Sequence, residues 1–260
     1  MIHERLRSVH LTPVNEPLFY DFIKDNFAEY FFFHADYVQY PKDTEIFLAL
    51  DVNDKIQGMT LMWKDRRLQL RGSNESLEFL LNEENYNPIS ITGFEHHKPI
   101  IAKFFPNYKK EIVMYRMDMK KGEQKDYEKY PYETLKESNK EEIVLFMRNA
   151  DPIFWGNHSL DDNLMDENNI WFGIIEKEKL VCITSLWMYQ KVGYITVVGT
   201  HSDYRNRGLA SSLVSSVLKA VFKEKEECLI TVRVENDAAV HTYKKLGFSI
   251  CNIQNSFERE

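Results

Sequence analysis

The sequence predicts an α+β protein with two similar halves, each a mixed central sheet flanked by helices. Three observations lead to this prediction. Apolar runs with strand-like alternation occur in closely spaced pairs, as in hairpins. Amphipathic stretches with helical spacing precede and separate these runs. The segment IFLALDVNDKIQGMTLMW, from Ile46, resembles WFGIIEKEKLVCITSLW, from Trp171, so we expect the second half to repeat the first.

The first half shows this alternation from its start. The predicted elements are a helix at residues 17–30, strands at 45–51, 57–63 and 67–71, a helix at 74–81, and strands at 89–94 and 111–119. Ser73 is the expected N-cap of the second helix. The charged stretch KKGEQKD at residues 120–126 then interrupts the apolar pattern. We therefore expect a first domain at 1–119, a connector at 120–131 and a second domain at 132–260.

The second half begins again with a helix. The predicted elements are a helix at residues 139–149, a hairpin of strands at 171–176 and 180–190, a strand at 193–200, a helix at 209–222, a strand at 228–234, a helix at 238–246, and a strand at 248–257. Gly247 is the expected C-terminal stop of the last helix.

Composition narrows the class of protein. The 260 residues carry a formal net charge of -7, which disfavours a nucleic-acid partner. The cysteines Cys182, Cys228 and Cys251 form no CxxC pair, so we expect reduced thiols and no metal site. The amino terminus is polar, and no apolar run approaches the ~18 residues that a membrane span needs. These features predict a cytoplasmic protein without a membrane partner.

A strand, a polar turn and a helix follow one another in TVVGTHSDYRNRGLASSLVSSVL, from Thr196. The first turn of a helix leaves backbone N–H groups unpaired at the positive end of its dipole, which suits a phosphate. Gly208 and Ala210 keep that end free of large side chains, and Arg205 and Arg207 add charge. The pattern predicts an anion site; a solvated basic loop that caps an ordinary helix is the alternative.

A second motif lies downstream, in VRVENDAAVHTYKKLGF. Asn236 follows a predicted strand, Ala239 and Tyr243 follow at intervals of three and four residues, and Leu-Gly-Phe closes the helix. Together with the pattern Arg-x-x-Gly-x-Ala at residues 205–210, this segment resembles the GNAT superfamily of acyl-CoA-dependent N-acyltransferases. The resemblance covers residues 132–257 and implies the GNAT fold, with acetyl-CoA or another acyl-CoA as co-substrate.

The resemblance implies roles for particular residues. The backbone around Arg207, Gly208, Leu209 and Ala210 would bind the pyrophosphate of CoA, and Arg205 belongs to the same motif. The strand residues Val197, Val198 and Thr200 would pair with the pantetheine arm through their backbone, with a bulge expected at Gly199. Asn236 would hydrogen-bond pantetheine, cap its helix, or do both.

The resemblance also implies a reaction. An amine would attack the thioester carbonyl directly, the N–H of Val198 would stabilise the oxyanion, and Tyr243 would protonate the leaving thiolate. Tyr243 could instead be a packed helix aromatic. Many family members carry a glutamate near the start of the central strand, where this sequence has Tyr194. The general base therefore stays open among Tyr194, His201, Glu235 and solvent water.

The acceptor site is expected at residues 151–162, DPIFWGNHSLDD, in the loop after the first helix of the second half. Aromatic and histidine side chains would form its wall and acidic side chains would hold the amine; the candidates are Phe154, Trp155, His158, Asp151, Asp161 and Asp162. Aromatic packing and helix capping are the alternative. The acceptor itself, a small molecule or a protein amine, is not identified, and neither is the oligomeric state.

The first half offers no equivalent motif. It has Arg71 and Gly72 after its strand, and Lys103 where a tyrosine is expected, so a duplicated half would have lost its CoA site. His96 and His97 are expected in a surface loop. An inactive first copy before an active second copy is similar to the arrangement of glycine N-acyltransferases. A non-catalytic CoA-binding module and a protein-interaction adaptor are the competing hypotheses.

Overall fold

A computed structural model describes residues 6–152 and 168–259 of the chain. The chain forms two compact units, one of residues 1–115 with 252–260 and one of residues 116–251. It passes from unit 1 to unit 2 within strand β6 (Tyr108–Lys120) and returns within strand β12 (Ser249–Arg259). These limits differ from the expected boundaries at residues 119 and 132, because the segment after β6 belongs with unit 2. The predicted mixed sheet flanked by helices is confirmed.

Unit 1 contains a sheet in the order β1-β2-β3-β4-β5-β12. Its pairs are antiparallel except for β4 and β5, which run parallel. Besides the parts of β6 and β12, the elements are β1 (Arg7–His10), α1 (Glu16–Ile23), α2 (Phe31–Gln39), β2 (Thr44–Leu50), β3 (Ile56–Trp63), β4 (Arg67–Gly72), α3 (Asn74–Glu83), β5 (Ser90–Phe94) and α4 (Lys98–Phe104).

The core of unit 1 has a helix layer on each face of its sheet. On one face, Phe19 of α1 and Phe33 of α2 pack with Leu48 of β2. On the other, Leu77 of α3 and Ile101 of α4 pack with strand residues in a separate cluster. The helix predicted at 17–30 ends at Ile23, before the polar sequence KDN. Helix α2 begins only at Phe31, after the end of the predicted helix. It was missed because its apolar residues surround the helix and give no periodic pattern.

Unit 2 contains a sheet in the order β6-β11-β10-β9-β8-β7. The pairs among β7, β8, β9 and β10 are antiparallel, and β10 runs parallel to β11. Its other elements are β7 (Glu133–Leu135), α5 (Lys140–Ala150), β8 (Asn169–Glu176), β9 (Lys179–Tyr189), β10 (Val192–Thr200), α6 (Leu209–Glu224), β11 (Glu227–Arg233) and α7 (Asp237–Leu246).

Two helices pack on the sheet of unit 2 and support its strands. The apolar side of α5 brings Ile143, Phe146 and Met147 against strand residues such as Trp171 and Ile183. Helix α6 is buried along most of its length. Gly193 admits this helix, since a Cβ there would lie 2.8 Å from a methyl carbon of Val221. In the described parts of the chain, no helix is long and apolar enough to cross a membrane.

Candidate functional site

The site in unit 2 begins where two parallel strands separate. Strands β10 and β11 pair from Val192 to Ile195, and the register of β10 then shifts between Ile195 and Val197. Beyond this bulge, residues 197–200 stay paired with β9 on one side. No described strand pairs with their other edge, so a row of backbone groups faces open space. Such an edge can pair with an extended ligand.

The position of this bulge corrects the sequence prediction. A bulge was expected at Gly199, yet Gly199 stands in regular register with Ile183, and the irregularity lies at Thr196. Gly199 has a different role. A Cβ there would lie 2.8 Å from Cε1 of Phe146, so the missing side chain makes room for that ring.

A cavity of about 700 Å³ opens at the separated strands. It is lined by the β10 edge, the turn before α6 and the start of α7. The predicted residues that line it are Val197, Val198, Thr200, Arg205, Gly208, Leu209, Ala210, Asn236 and Tyr243. Phe146, Met147 and Ile183 add an apolar wall that the two motifs did not indicate. Segments far apart in the sequence thus meet around one cleft.

The turn before α6 presents the amino-terminal end of that helix to the cavity. Gly208 is the N-cap, with a left-handed φ of 79° that favours glycine. The N–H of Ser212 bonds to the carbonyl of Gly208, so the N–H groups of Leu209, Ala210 and Ser211 precede the first bond of the helix. Because no atom lies within 4 Å of the Cβ position of Gly208, the backbone there is open to a ligand.

The two arginines of the turn point in different directions. Arg205 lines the cavity and donates hydrogen bonds of 3.4 Å to the carbonyls of Thr200 and Ala150. Arg207 is exposed, does not line the cavity, and forms an ion pair of 2.7 Å with Glu176. The side chain of Arg207 is therefore not placed to bind a ligand in the cavity.

Asn236 lines the cavity as the N-cap of α7. Its Oδ1 accepts a hydrogen bond of 3.2 Å from the N–H of Ala239, so the capping role is present. Asn236 is exposed at the cavity wall, and its amide can also reach a ligand.

Tyr243 is 5% exposed and lines the same cavity. Its ring packs edge-on against Phe248, with ring centres 6.1 Å apart. Burial, and to a lesser extent the nearby Cys182, raise the pKa of Tyr243 above its ordinary value. The phenol therefore stays protonated at neutral pH.

The candidates for the general base do not line the cavity. The hydroxyl of Tyr194 lies 2.9 Å from Oγ1 of Thr231, and burial raises its pKa. Nδ1 of His201 accepts a hydrogen bond from the N–H of Asp203, and Glu235 is exposed. Proton removal by water is compatible with this arrangement.

The expected acceptor loop is described only in part. Asp151 lines the cavity and forms an ion pair with Arg233, which the motifs did not indicate. The other residues proposed for the acceptor lie outside the described residues; they are Phe154, Trp155, His158, Asp161 and Asp162.

Unit 1 corrects the expectation for the histidine pair. His97 is fully buried, and its Nδ1 accepts a hydrogen bond of 2.9 Å from the N–H of Phe94. Its Nε2 lies 3.0 Å from the carbonyl of Gly72. Burial lowers the pKa of His97 to about 4, so the ring is neutral near pH 7. In the described part of the chain, no group of His, Cys, Asp and Glu side chains is arranged to hold a metal ion.

The sequence resembles known acetyltransferases. Residues 171–256 match the family model of FR47-like protein. The chain is 42% identical over 59 residues to the mycothiol acetyltransferase of Corynebacterium aurimucosum; the match covers 22% of this chain and 19% of that protein. It is 35% identical over 60 residues to the N-alpha-acetyltransferase of Sulfurisphaera tokodaii, covering 22% of this chain and 36% of that protein. The chain thus spans well under half of either relative.

Solved structures share the fold over almost the whole chain. A GCN5-related N-acetyltransferase from Sphaerobacter thermophilus matches with a TM-score of 0.62 and 12% identity, covering 99% of this chain and 96% of that one. An acetyltransferase of the GNAT family from Colwellia psychrerythraea matches with a TM-score of 0.60 and 13% identity, covering 98% and 100%. The chain therefore shares its fold with acetyltransferases of the GNAT family, and part of its sequence is similar to FR47-like protein and to two acetyltransferases.

Proposed function

We propose that the chain is an acyl-CoA-dependent N-acetyltransferase that transfers an acetyl group to a primary amine by direct attack. The cavity of unit 2 is the observation on which this proposal rests. It brings the amino-terminal end of α6, the unpaired edge of β10 and the buried phenol of Tyr243 to one cleft. These are the groups that a phosphate, an amide-bearing chain and a leaving thiolate require.

CoA would bind along this cleft in an extended form. Its pyrophosphate would accept hydrogen bonds from the N–H groups at the start of α6, where Gly208 and Ala210 admit a close approach. Pantetheine would continue along the backbone of Val197, Val198 and Thr200, in the place that a further strand would occupy. Asn236 would hydrogen-bond this arm from the opposite wall.

The chemistry then involves three groups of unit 2. The nitrogen of a neutral amine attacks the thioester carbonyl, and the N–H of Val198 stabilises the oxyanion. When the tetrahedral intermediate collapses, the carbon–sulfur bond breaks and CoA leaves as a thiolate. Tyr243 gives this sulfur its proton, the new amide nitrogen loses a proton to water, and water returns a proton to the phenolate of Tyr243. The raised pKa of Tyr243 keeps it protonated for this step.

We propose that unit 1 is a degenerate copy whose corresponding cleft is filled. Its parallel strands β4 and β5 pair only from Arg67 to Gln69 and then separate, as β10 and β11 do. The buried imidazole of His97 joins Phe94 to Gly72 beyond this point, and the guanidinium of Arg71 lies 4.0 Å from the ring centre of Phe94. In this proposal, these side chains occupy the place that pantetheine would take.

The catalytic position also differs in unit 1. Counted from the first residues of α4 and α7, Phe104 and not Lys103 takes the place of Tyr243. A phenylalanine at this position carries no proton for a leaving thiolate. We therefore expect one acyl-CoA per chain, bound by unit 2.

An acetyl donor is favoured by the names of the matched relatives, which are both acetyltransferases. The test is to incubate the chain with acetyl-CoA and panels of amino acids, polyamines, aminoglycosides and peptide amino termini, and to measure the released thiol. We expect thiol release that requires one class of amine and produces its acetylated form. Tight CoA binding without any transfer would instead favour a CoA-binding module, and no CoA binding would favour an adaptor.

A further inference from the structure

Arg207, in the turn before α6, is held at three points by residues outside both motifs. Its Nη2 donates to the two carboxylate oxygens of Glu176 at 2.7 and 3.0 Å. Its guanidinium carbon lies 5.2 Å from the ring centre of Tyr204. Its carbonyl accepts a hydrogen bond of 3.0 Å from the hydroxyl of Tyr130. The side chain and the backbone of Arg207 are thus fixed by separate partners.

The backbone of this turn needs such support. Asn206 and Gly208, on either side of Arg207, have left-handed φ angles of 63° and 79°. This region is sparsely populated by residues other than glycine, so the turn at Asn206 is persistent only if its surroundings favour it. Without support, the turn would sample other conformations before CoA binds.

The hydrogen bond from Tyr130 controls the direction of a donor. The carbonyl of Arg207 and the N–H of Gly208 belong to one planar trans peptide group, in which they point to opposite sides. A partner that fixes this carbonyl therefore also fixes the direction of the Gly208 N–H. That N–H stands just before the first turn of α6, at the cavity.

Tyr130 is itself fastened to the helix that it serves. The hydroxyl oxygen of Ser212 accepts hydrogen bonds from the N–H groups of Lys129 and Tyr130, at 2.8 and 3.0 Å. The hydroxyl oxygen of Ser215 accepts one of 2.9 Å from the N–H of Tyr127. Ser212 and Ser215 are buried in α6. Residues 127–130 thus form a strap along α6, held by backbone donors that a change at the Tyr130 hydroxyl leaves in place.

We infer that Tyr130 is a positioning residue, which orients the Arg207–Gly208 peptide group so that the turn is ready for the pyrophosphate of CoA. Glu176 supports the same peptide group through the side chain of Arg207. This inference rests on the proposed function and goes beyond it, because it gives residues 127–130, which lie outside both motifs, a part in cofactor affinity. Neither Tyr130 nor Glu176 lines the cavity.

The test compares Tyr130→Phe with a matched control, Tyr132→Phe, in the full chain. Tyr132 packs edge-on against Phe172, 6.0 Å between ring centres, and its phenol is no partner of the turn. The Kd for CoA is measured by calorimetry, and kcat and KM with acetyl-CoA and a saturating amine. We expect Tyr130→Phe to raise Kd and KM by about 3–10-fold, because this is the size of effect that the loss of one hydrogen bond produces. We expect kcat to stay within about twofold of the native value. The control should leave all three unchanged.

Two further measurements keep the inference distinct from the proposed function. Glu176→Gln should also raise the Kd for CoA, and the double variant should lose less than the product of the single effects, because both residues hold one peptide group. A Tyr130→Phe chain that binds CoA like the native chain, while Gly208→Val weakens binding, would overturn the positioning role and leave the function standing. A Tyr130→Phe chain with a lower kcat and a lower melting temperature, but with an unchanged Kd for CoA, would also overturn it. A native chain that binds no CoA would overturn both.

Discussion

The ring of Phe146 occupies the space that a side chain at Gly199 would need. An ideal Cβ at Gly199 would lie 2.8 Å from Cε1 of Phe146, closer than real side chains approach. Both residues line the cavity of unit 2, and Phe146 is buried in the core beneath α5. The shape of the proposed CoA site is therefore linked to the packing of a helix on its sheet.

This contact predicts that Gly199→Ala is destabilising although alanine is small. The added methyl must displace the Phe146 ring, and overpacking of this kind costs about 1–3 kcal/mol of unfolding free energy. Urea denaturation measures the loss. The double variant Gly199→Ala with Phe146→Leu should recover part of it, because leucine leaves the space. If the losses of unfolding free energy from the two single variants simply add in the double variant, the contact between Gly199 and Phe146 is not the cause of the destabilisation.

Gly208 predicts a loss of affinity for CoA that an equally strained glycine outside the cavity does not cause. A side chain at its φ of 79° is strained by about 1–2 kcal/mol, and valine would also project towards the bound pyrophosphate. We expect Gly208→Val to weaken CoA binding at least tenfold by calorimetry. Gly122→Val is the matched control, since Gly122 also has a left-handed φ of 100°, with no atom within 4 Å of its Cβ position. An equal loss of affinity in both variants would show that only strain is involved.

The buried phenol of Tyr243 predicts a loss confined to turnover. Tyr243→Phe keeps the ring contact with Phe248 and removes the proton donor, so kcat should fall by roughly 10²–10⁴ while the Kd for acetyl-CoA stays nearly constant. The variant should regain activity with thioesters of more acidic thiols, which need less protonation. Since the pKa of Tyr243 is raised, the resting phenol should remain protonated, and its ionisation to solvent should not lower kcat in the native chain near neutral pH. Native turnover in the variant, with chemistry rate-limiting, would make Tyr243 a packing residue.

His97 predicts a pH dependence of stability in unit 1. Burial lowers its pKa in the folded chain to about 4, whereas an unfolded histidine titrates near about 6.5. Below pH ~6.5 the unfolded chain binds a proton at this histidine that the folded chain does not bind. The free energy of unfolding should therefore be highest above pH ~6.5 and should fall as the pH drops towards ~4. Urea denaturation between these limits should show a decline that is reduced in His97→Gln. His96→Gln, a change at the exposed neighbour, should keep the native slope, and equal slopes in all three chains would contradict this origin.

The local sequence predicted which residues lie near the cavity better than it predicted the directions of their side chains. The turn at Gly208 and the helix start at Asn236 follow from neighbouring residues, and both residues line the cavity. The direction of the Arg207 side chain depends on Glu176, which is 31 residues away in the sequence and gave no signal. The bulge was expected at Gly199 because glycine often marks one, but here the lack of a side chain at Gly199 makes room for the ring of Phe146.

The burial of His97 in unit 1 could likewise not be predicted from its neighbours in the sequence. His97 follows another histidine in a polar stretch, which is typical of a surface loop. Its burial depends on the carbonyl of Gly72 and the N–H of Phe94, which tertiary structure brings to it. The short strand β1 and the short helix α4 were missed because four and seven residues carry too little periodicity to be recognised.

A calorimetric titration of the full chain with acetyl-CoA, in the absence of an amine, tests the central claim most directly. The account predicts one acetyl-CoA per chain, because unit 2 has an open cleft, whereas we propose that His97 and Arg71 fill the corresponding place in unit 1. The same titration of Gly208→Val should show the loss of that single site. Two sites per chain, or one site whose affinity is unchanged in Gly208→Val, would contradict the account.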